Sequence, residues 1–125
     1  MKIAYAGAPE FSVAPLKKLM ESGFKIAAVI TQPDKPVGRR AVLTPTPLKS
    51  FAQSAGIPVF TFARIRDEVP AVKSIGADCM VTCAYGQILT QEILSAFPMG
   101  VYNIHASLLP RWRGASPVQH AIAAG

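Results

Sequence analysis

Residues 103–114, Asn-Ile-His-Ala-Ser-Leu-Leu-Pro-Arg-Trp-Arg-Gly, gather an amide, an imidazole, a hydroxyl and two guanidinium groups into one short stretch. If residues 101–105 are extended, side chains alternate between faces, so Asn103 and His105 project together at the carboxyl end of a strand. Open α/β sheets bind their ligands at that end. An amide beside an imidazole suits acyl transfer better than hydride or phosphoryl transfer. Asn can donate a hydrogen bond to a developing oxyanion, and loss of one such donor costs on the order of a hundred- to a thousand-fold in rate. His, with an unperturbed pKa of ~6.5, can be an oxyanion donor when charged or move a proton to a leaving amine. No residue after Glu92 is acidic, so the neighbourhood offers no carboxylate to orient the imidazole. Spacing alone also leaves open a reading in which Asn103 and His105 are capping or structural groups at a strand end.

The rest of the chain narrows the chemistry. No Ser or Cys lies in a G-x-S-x-G sequence, so a covalent acyl-enzyme is not indicated and direct attack of an amine on a bound acyl donor fits better. His120, beside Gln119, reads as an exposed helix residue without a role. Cys79 and Cys83 fall in one apolar run; four residues at ~3.3 Å each set them roughly 13 Å apart, too far for a disulfide. They read as small core residues in a reducing compartment, and no second pair of ligands accompanies them to suggest a metal. Thirteen Lys and Arg against seven Asp and Glu give a formal charge of +6, which favours an anionic partner without identifying one. No apolar run approaches the roughly 20 residues that span a bilayer, and no targeting signal opens the chain, so a soluble cytoplasmic protein of one domain is expected.

These groups need a scaffold, and the hydrophobic pattern supplies one. Residues 2–6 read as a first strand. Pro9 fits the first turn of a helix whose apolar face holds Phe11, Val13, Leu16, Leu19 and Met20 and which Gly23 ends. A second strand follows at 24–31, giving β-α-β and so a parallel pair. The dinucleotide fingerprint G-x-G-x-x-G is absent: the first turn reads Gly7-Ala8-Pro9-Glu10-Phe11-Ser12, with only its first glycine in place, and Pro9 and Phe11 would obstruct a pyrophosphate. Residues 32–47, rich in Pro, read as a long loop without regular structure, carrying Lys35, Arg39 and Arg40. Those cations could meet phosphates; from spacing alone a solvated loop is the slightly favoured reading. Then come a helix at 47–55, a third strand at 57–60, an amphipathic segment at 64–75 weakened by Pro70, and a fourth strand at 78–84 apolar enough to be covered on both faces. A turn at Tyr85-Gly86-Gln87, a short helix at 90–97, strand five at 101–105 and a helix from about Gly114 complete a doubly wound parallel sheet.

Asn103-Ile-His105-Ala-Ser107-Leu-Leu-Pro110-Arg-Trp-Arg113-Gly114 resembles the folate-dependent formyltransferases, whose signature pairs N-x-H with S-L-L-P. Gly7-Ala-Pro9-Glu10-Phe11, Thr31-Gln-Pro33-Asp34-Lys-Pro36-Val-Gly38-Arg39, Thr44-Pro45-Thr-Pro47 and Ala84-Tyr85-Gly86-Gln87-Ile-Leu89 are similar, in order and spacing, to the members that act on methionine carried by initiator tRNA. The resemblance implies a Rossmann-like formyltransferase fold, 10-formyltetrahydrofolate as formyl donor, no metal, and the α-amine of methionyl initiator tRNA as acceptor. It assigns Asn103 and His105 to the family's catalytic Asn-His-Asp set. Ser107, Leu108, Leu109 and Pro110, with Tyr85, Gly86, Gln87, Ile88 and Leu89, would wall the folate pocket. Lys35, Arg39 and Arg40 would face the tRNA acceptor arm.

Where family members commonly carry Gly-Lys-Lys in the loop after strand two, this chain has Arg40-Ala41-Val42. The family's catalytic Asp and carboxy-terminal tRNA-binding domain have no counterpart in these 125 residues. The expectation is an amino-terminal part of the catalytic domain, ending after strand five and its following helix, with little activity alone and an open strand-five edge prone to self-association. Relatives acting on glycinamide ribonucleotide or a sugar amine, and a non-catalytic nucleic-acid-binding module, are the competing readings.

Overall fold

A computed structural model gives the fold of residues 1–104, and all structural statements below concern those residues. β1 (Lys2–Gly7) sends Ile3 and Tyr5 to one face of the sheet and Ala4 and Ala6 to the other, the strict alternation of an internal strand. A 3-10 turn at Glu10–Ser12 separates it from α1 (Val13–Glu21). Phe11, expected on the buried helical face, is 51% exposed, because it sits in the tighter turn where the 3.6-residue period does not hold. Ser12 is buried in its place: its hydroxyl donates to Pro9 O at 2.6 Å and its carbonyl accepts from Tyr5 Oη at 2.6 Å.

β2 (Lys25–Thr31) leads into the segment expected to lack regular structure, and here the expectation fails. β3 (Lys35–Val37) and β4 (Val42–Thr44) form an antiparallel hairpin, with Pro36 opposite Leu43 and Val37 opposite Val42. A two-stranded ribbon leaves one side of each strand unpaired, so Pro36 is tolerated there without its N–H. Gly38 (φ 78°) and Ala41 (φ 50°) adopt left-handed conformations, and Ala41 N–H donates to Gly38 O at 3.1 Å to close the turn. Both strands are exposed along their length, which is why no alternating pattern announces them.

α2 (Pro47–Ser54) starts where expected: Thr46 Oγ1 accepts from Lys49 N–H at 3.1 Å and Pro47 occupies the first turn. β5 (Val59–Thr61) lies slightly later than the predicted third strand. The weak 64–75 pattern resolves into a 3-10 turn at Ile65–Asp67 and α3 (Val69–Ile75). Pro70 lies in the first turn of α3 and does not weaken it, since that turn needs no N–H from it. β6 (Cys79–Cys83) is buried throughout, and α4 (Gln91–Leu94) and β7 (Val101–Asn103) follow.

The five longer-range strands form one parallel sheet in the order β5-β2-β1-β6-β7. Side chains from α1 and α2, such as Leu16 and Leu48, pack on the face carrying Tyr5, Val29 and Val81. Val72 and Ile93, from α3 and α4, pack on the face carrying Ala4, Ile30 and Met80. The sheet is therefore doubly wound, and the chain reverses its direction of travel between β1 and β6. Open α/β sheets bind their ligands near such a reversal, outside the carboxyl ends of the strands. Cys79 and Cys83 are buried free thiols in β6.

Candidate functional site

Parallel pairing sets Thr82 of β6 beside Asn103 of β7. Thr82 is buried, and its Oγ1 donates to Asn103 Oδ1 at 2.9 Å. That bond engages the carbonyl oxygen of the amide, whose donor atom is Nδ2. The ladder runs on to Ile104, whose N–H donates to Thr82 O at 2.7 Å. His105, Ser107, Leu108, Leu109 and Pro110, and His120, lie outside the described residues.

A cavity of about 350 Å³ opens beside this pair, with Thr82 and Asn103 in its wall. Tyr85, Gly86, Gln87 and Leu89 form another part of the wall, so most of the 85–89 turn singled out in the sequence meets Asn103 in one place. Ile88 does not: it is 75% exposed and borders an adjoining hollow with Arg64 and Arg66. Leu94 and Val101 supply apolar lining that sequence reasoning missed. Val101 was within reach of it, since residues i and i+2 of a strand share a face and Asn103 follows Val101 at that spacing. Thr82 gave no such signal, because strand register between β6 and β7 is not written in either segment alone.

The loop that walls the cavity is held by amides. Ala84 (φ 55°) and Gly86 (φ 83°) swing the chain off the end of β6 through left-handed conformations, costly for an alanine and tolerated where surrounding contacts fix the turn. Gln87 Nε2 donates to Gln32 Oε1 and to Phe62 O, both at 2.8 Å, while its Oε1 accepts from Ile65 N–H at 2.6 Å. Gln32 Nε2 in turn donates to Tyr85 O at 2.5 Å. The Tyr85 ring is buried, and among the described residues its hydroxyl has no hydrogen-bond partner. Burial pushes that phenol well above its ordinary pKa, so it stays protonated at neutral pH and is no general base.

Lys35 lies in β3 and Arg39 and Arg40 in the β3–β4 turn, all three exposed and none in the cavity wall. The hairpin is fastened at its root: Asp34 pairs with Lys49 at 2.8 Å, and Thr31 Oγ1 meets Thr46 Oγ1 at 2.7 Å. Among the described residues no three His, Cys, Asp or Glu side chains are grouped to hold a metal ion, and no helix is long and apolar enough to cross a membrane.

Comparison with known proteins gives this geometry a context. A family model described as formyl transferase matches residues 1–125. The chain is 50% identical over 127 aligned positions to a methionyl-tRNA formyltransferase of Symbiobacterium thermophilum, covering all of this chain and 39% of that protein. It is 48% identical to the methionyl-tRNA formyltransferase of Phenylobacterium zucineum, covering all of this chain and 41% of that one. It thus spans about two fifths of the length of these curated relatives. Among solved structures, glycinamide ribonucleotide transformylase 1 of Geobacillus kaustophilus superposes with a TM-score of 0.63 at 19% identity, covering 99% of this chain and 68% of that one. Phosphoribosylglycinamide formyltransferase of Anaplasma phagocytophilum gives 0.62 at 23%, covering all of this chain and 59% of that one. At those identities the likeness is one of fold.

Proposed function

The chain belongs to the formyl transferase family, and on that premise we propose that it carries the donor-binding part of a methionyl-tRNA formyltransferase, the enzyme that moves a formyl group from 10-formyltetrahydrofolate to the amino group of methionine on initiator tRNA. Residues 1–125 are then the amino-terminal part of a catalytic domain. The observation that carries the proposal is the Asn103 amide, oriented by Thr82, on the wall of a partly apolar cavity at the carboxyl end of the sheet. Identity of 48–50% to methionyl-tRNA formyltransferases, against 19–23% to the glycinamide ribonucleotide enzymes, favours the tRNA acceptor.

The chemistry follows from the groups. Attack of an amine on the formyl carbon converts the carbonyl oxygen to an oxyanion, and Asn103 Nδ2 donates to it. His105 shares that role and assists transfer of the amine proton to N10, as collapse of the adduct breaks the formyl C–N10 bond and releases tetrahydrofolate. Leu89, Leu94 and Val101 give an apolar surface for the flat ring of the folate, and backbone groups of the 84–87 turn offer polar contacts at its rim. Lys35, Arg39 and Arg40 meet phosphates of the acceptor arm. The two buried free thiols suit the reducing cytoplasm.

Two titrations of the chain test the reading: one with a tetrahydrofolate, one with initiator tRNA at several salt concentrations. Saturable folate binding supports the donor pocket. Steeply salt-dependent RNA binding with no folate binding would instead support a nucleic-acid-binding module.

A further inference from the structure

Gln32 touches the 85–87 loop with both atoms of its amide. Nε2 donates to Tyr85 O at 2.5 Å and Oε1 accepts from Gln87 Nε2 at 2.8 Å. The residue is half-buried, yet it lines neither the cavity nor the adjoining hollow. Gly86, the residue between those two partners, brings its backbone close: a Cβ built there would lie 3.5 Å from Gln32 Nε2. Gln32 is thus a brace behind the cavity wall.

Its position in the chain gives the brace a second end. Gln32 follows the last residue of β2 and precedes Pro33, which restricts its backbone to extended conformations. On either side of it, Thr31 is bonded to Thr46 and Asp34 to Lys49, the two ties that close the root of the β3–β4 hairpin. A shift of the hairpin root therefore moves the backbone from which the Gln32 amide reaches the cavity loop. Gln87 carries the connection one step further, to Phe62 O and Ile65 N–H beyond β5.

We propose that Gln32 is a positioning residue that holds the donor-pocket loop and links it to the basic hairpin, so that occupancy of the hairpin and occupancy of the pocket influence each other. This rests on the donor-pocket reading above for the identity of the ligand, though not for the linkage itself. Linkage of this kind is reciprocal and is typically worth about 5- to 150-fold in affinity.

Side-chain chemistry separates positioning from mere space-filling. Gln32→Glu keeps size and the acceptor for Gln87 but sets an oxygen against the Tyr85 carbonyl, and Gln32→Met keeps volume with neither polar function. Backbone amide exchange of residues 86–89 is measured in the wild type, both variants, Asp34→Asn and Asp34→Asn with Gln32→Met, with thermal melts to verify folding. The expected result is faster exchange in both Gln32 variants, and an effect of Asp34→Asn on those amides that disappears in the Gln32→Met background. Tetrahydrofolate affinity should fall by about five-fold or more in both Gln32 variants. Unchanged exchange in Gln32→Met, or an Asp34→Asn effect equal in both backgrounds, would overturn the proposal. Failure of the wild type to bind folate would overturn the donor-pocket reading, while the ligand-free exchange cycle would still decide the linkage.

Discussion

Thr82 Oγ1 and Asn103 Oδ1 lie 2.9 Å apart across neighbouring parallel strands, and that hydrogen bond holds the Asn103 amide by its carbonyl oxygen. Thr82→Val keeps the shape of the side chain and removes only the hydroxyl. The amide then loses the tie to its carbonyl oxygen, and if Asn103 donates to the oxyanion as proposed, formyl transfer by an intact enzyme carrying these residues should drop by roughly ten-fold, ~1.4 kcal/mol of barrier. Asn103→Ala should cost on the order of a hundred- to a thousand-fold. Because both changes act through one amide, Thr82→Val should add nothing in the Asn103→Ala background. Rates of an intact methionyl-tRNA formyltransferase carrying these residues, measured with saturating donor and methionyl initiator tRNA, decide it; an unaffected Thr82→Val variant would remove Thr82 from the mechanism.

Gly7 ends β1 beside Cys83, the last residue of β6. A Cβ there would lie 2.7 Å from Cys83 O and 3.0 Å from Ser12 Cβ. One neighbour is backbone and the other a buried side chain, so neither can yield without shifting β1 against β6. Gly7→Ala should therefore destabilise the fold by about 1–3 kcal/mol, as overpacking does, read as a lower urea midpoint at unchanged slope. A midpoint equal to that of the wild type would show that β1 and β6 can separate at no cost.

How far the sequence announces this architecture depends on which residues are inside. β1 and β6 bury nearly every side chain and β2 its last four, and their apolar runs disclosed them along with the parallel sheet. The hairpin did not disclose itself: its six strand residues are exposed and its stability comes from ties at Thr31 and Asp34, which are contacts and not patterns. The same distinction runs through the site. Asn103 stood out by residue type and spacing and the 85–89 turn by resemblance to the formyltransferases, whereas Thr82 and Gln32 bond to partners 21 and 53 residues away in the chain, visible only once β6, β7 and β2 are laid side by side.

Alkaline stability follows from the buried acids near β6. Burial pushes the Cys79 and Cys83 thiols up, and burial followed by the neighbouring Cys83 pushes the Tyr5 phenol up. In the unfolded chain these groups release protons near ~8.5 and ~10 respectively. Above those values the folded protein retains more protons than the unfolded one, so stability falls as pH rises. Their contribution should be complete below about pH 8 and decline from about pH 8.5 upward. Urea midpoints across this range test it, with a Cys79→Ala, Cys83→Ala variant expected to flatten the first part of the decline. Thiol reagents should label the folded protein only at the rate at which it unfolds.

The hairpin cations make the last prediction. Lys35, Arg39 and Arg40 are exposed, and the turn that carries the two arginines projects from a root anchored by the Asp34–Lys49 pair. If they neutralise phosphates, binding of initiator tRNA weakens with salt by counterion release, and each lost phosphate contact lowers the slope of log affinity against log salt by about one. Replacing Arg39 and Arg40 by Ala should therefore weaken tRNA binding and lower that slope by about two. Tetrahydrofolate affinity without RNA should not change, because neither side chain lines the cavity and the Gln32 brace is intact. A slope equal to that of the wild type would mean that these arginines do not touch the phosphate backbone.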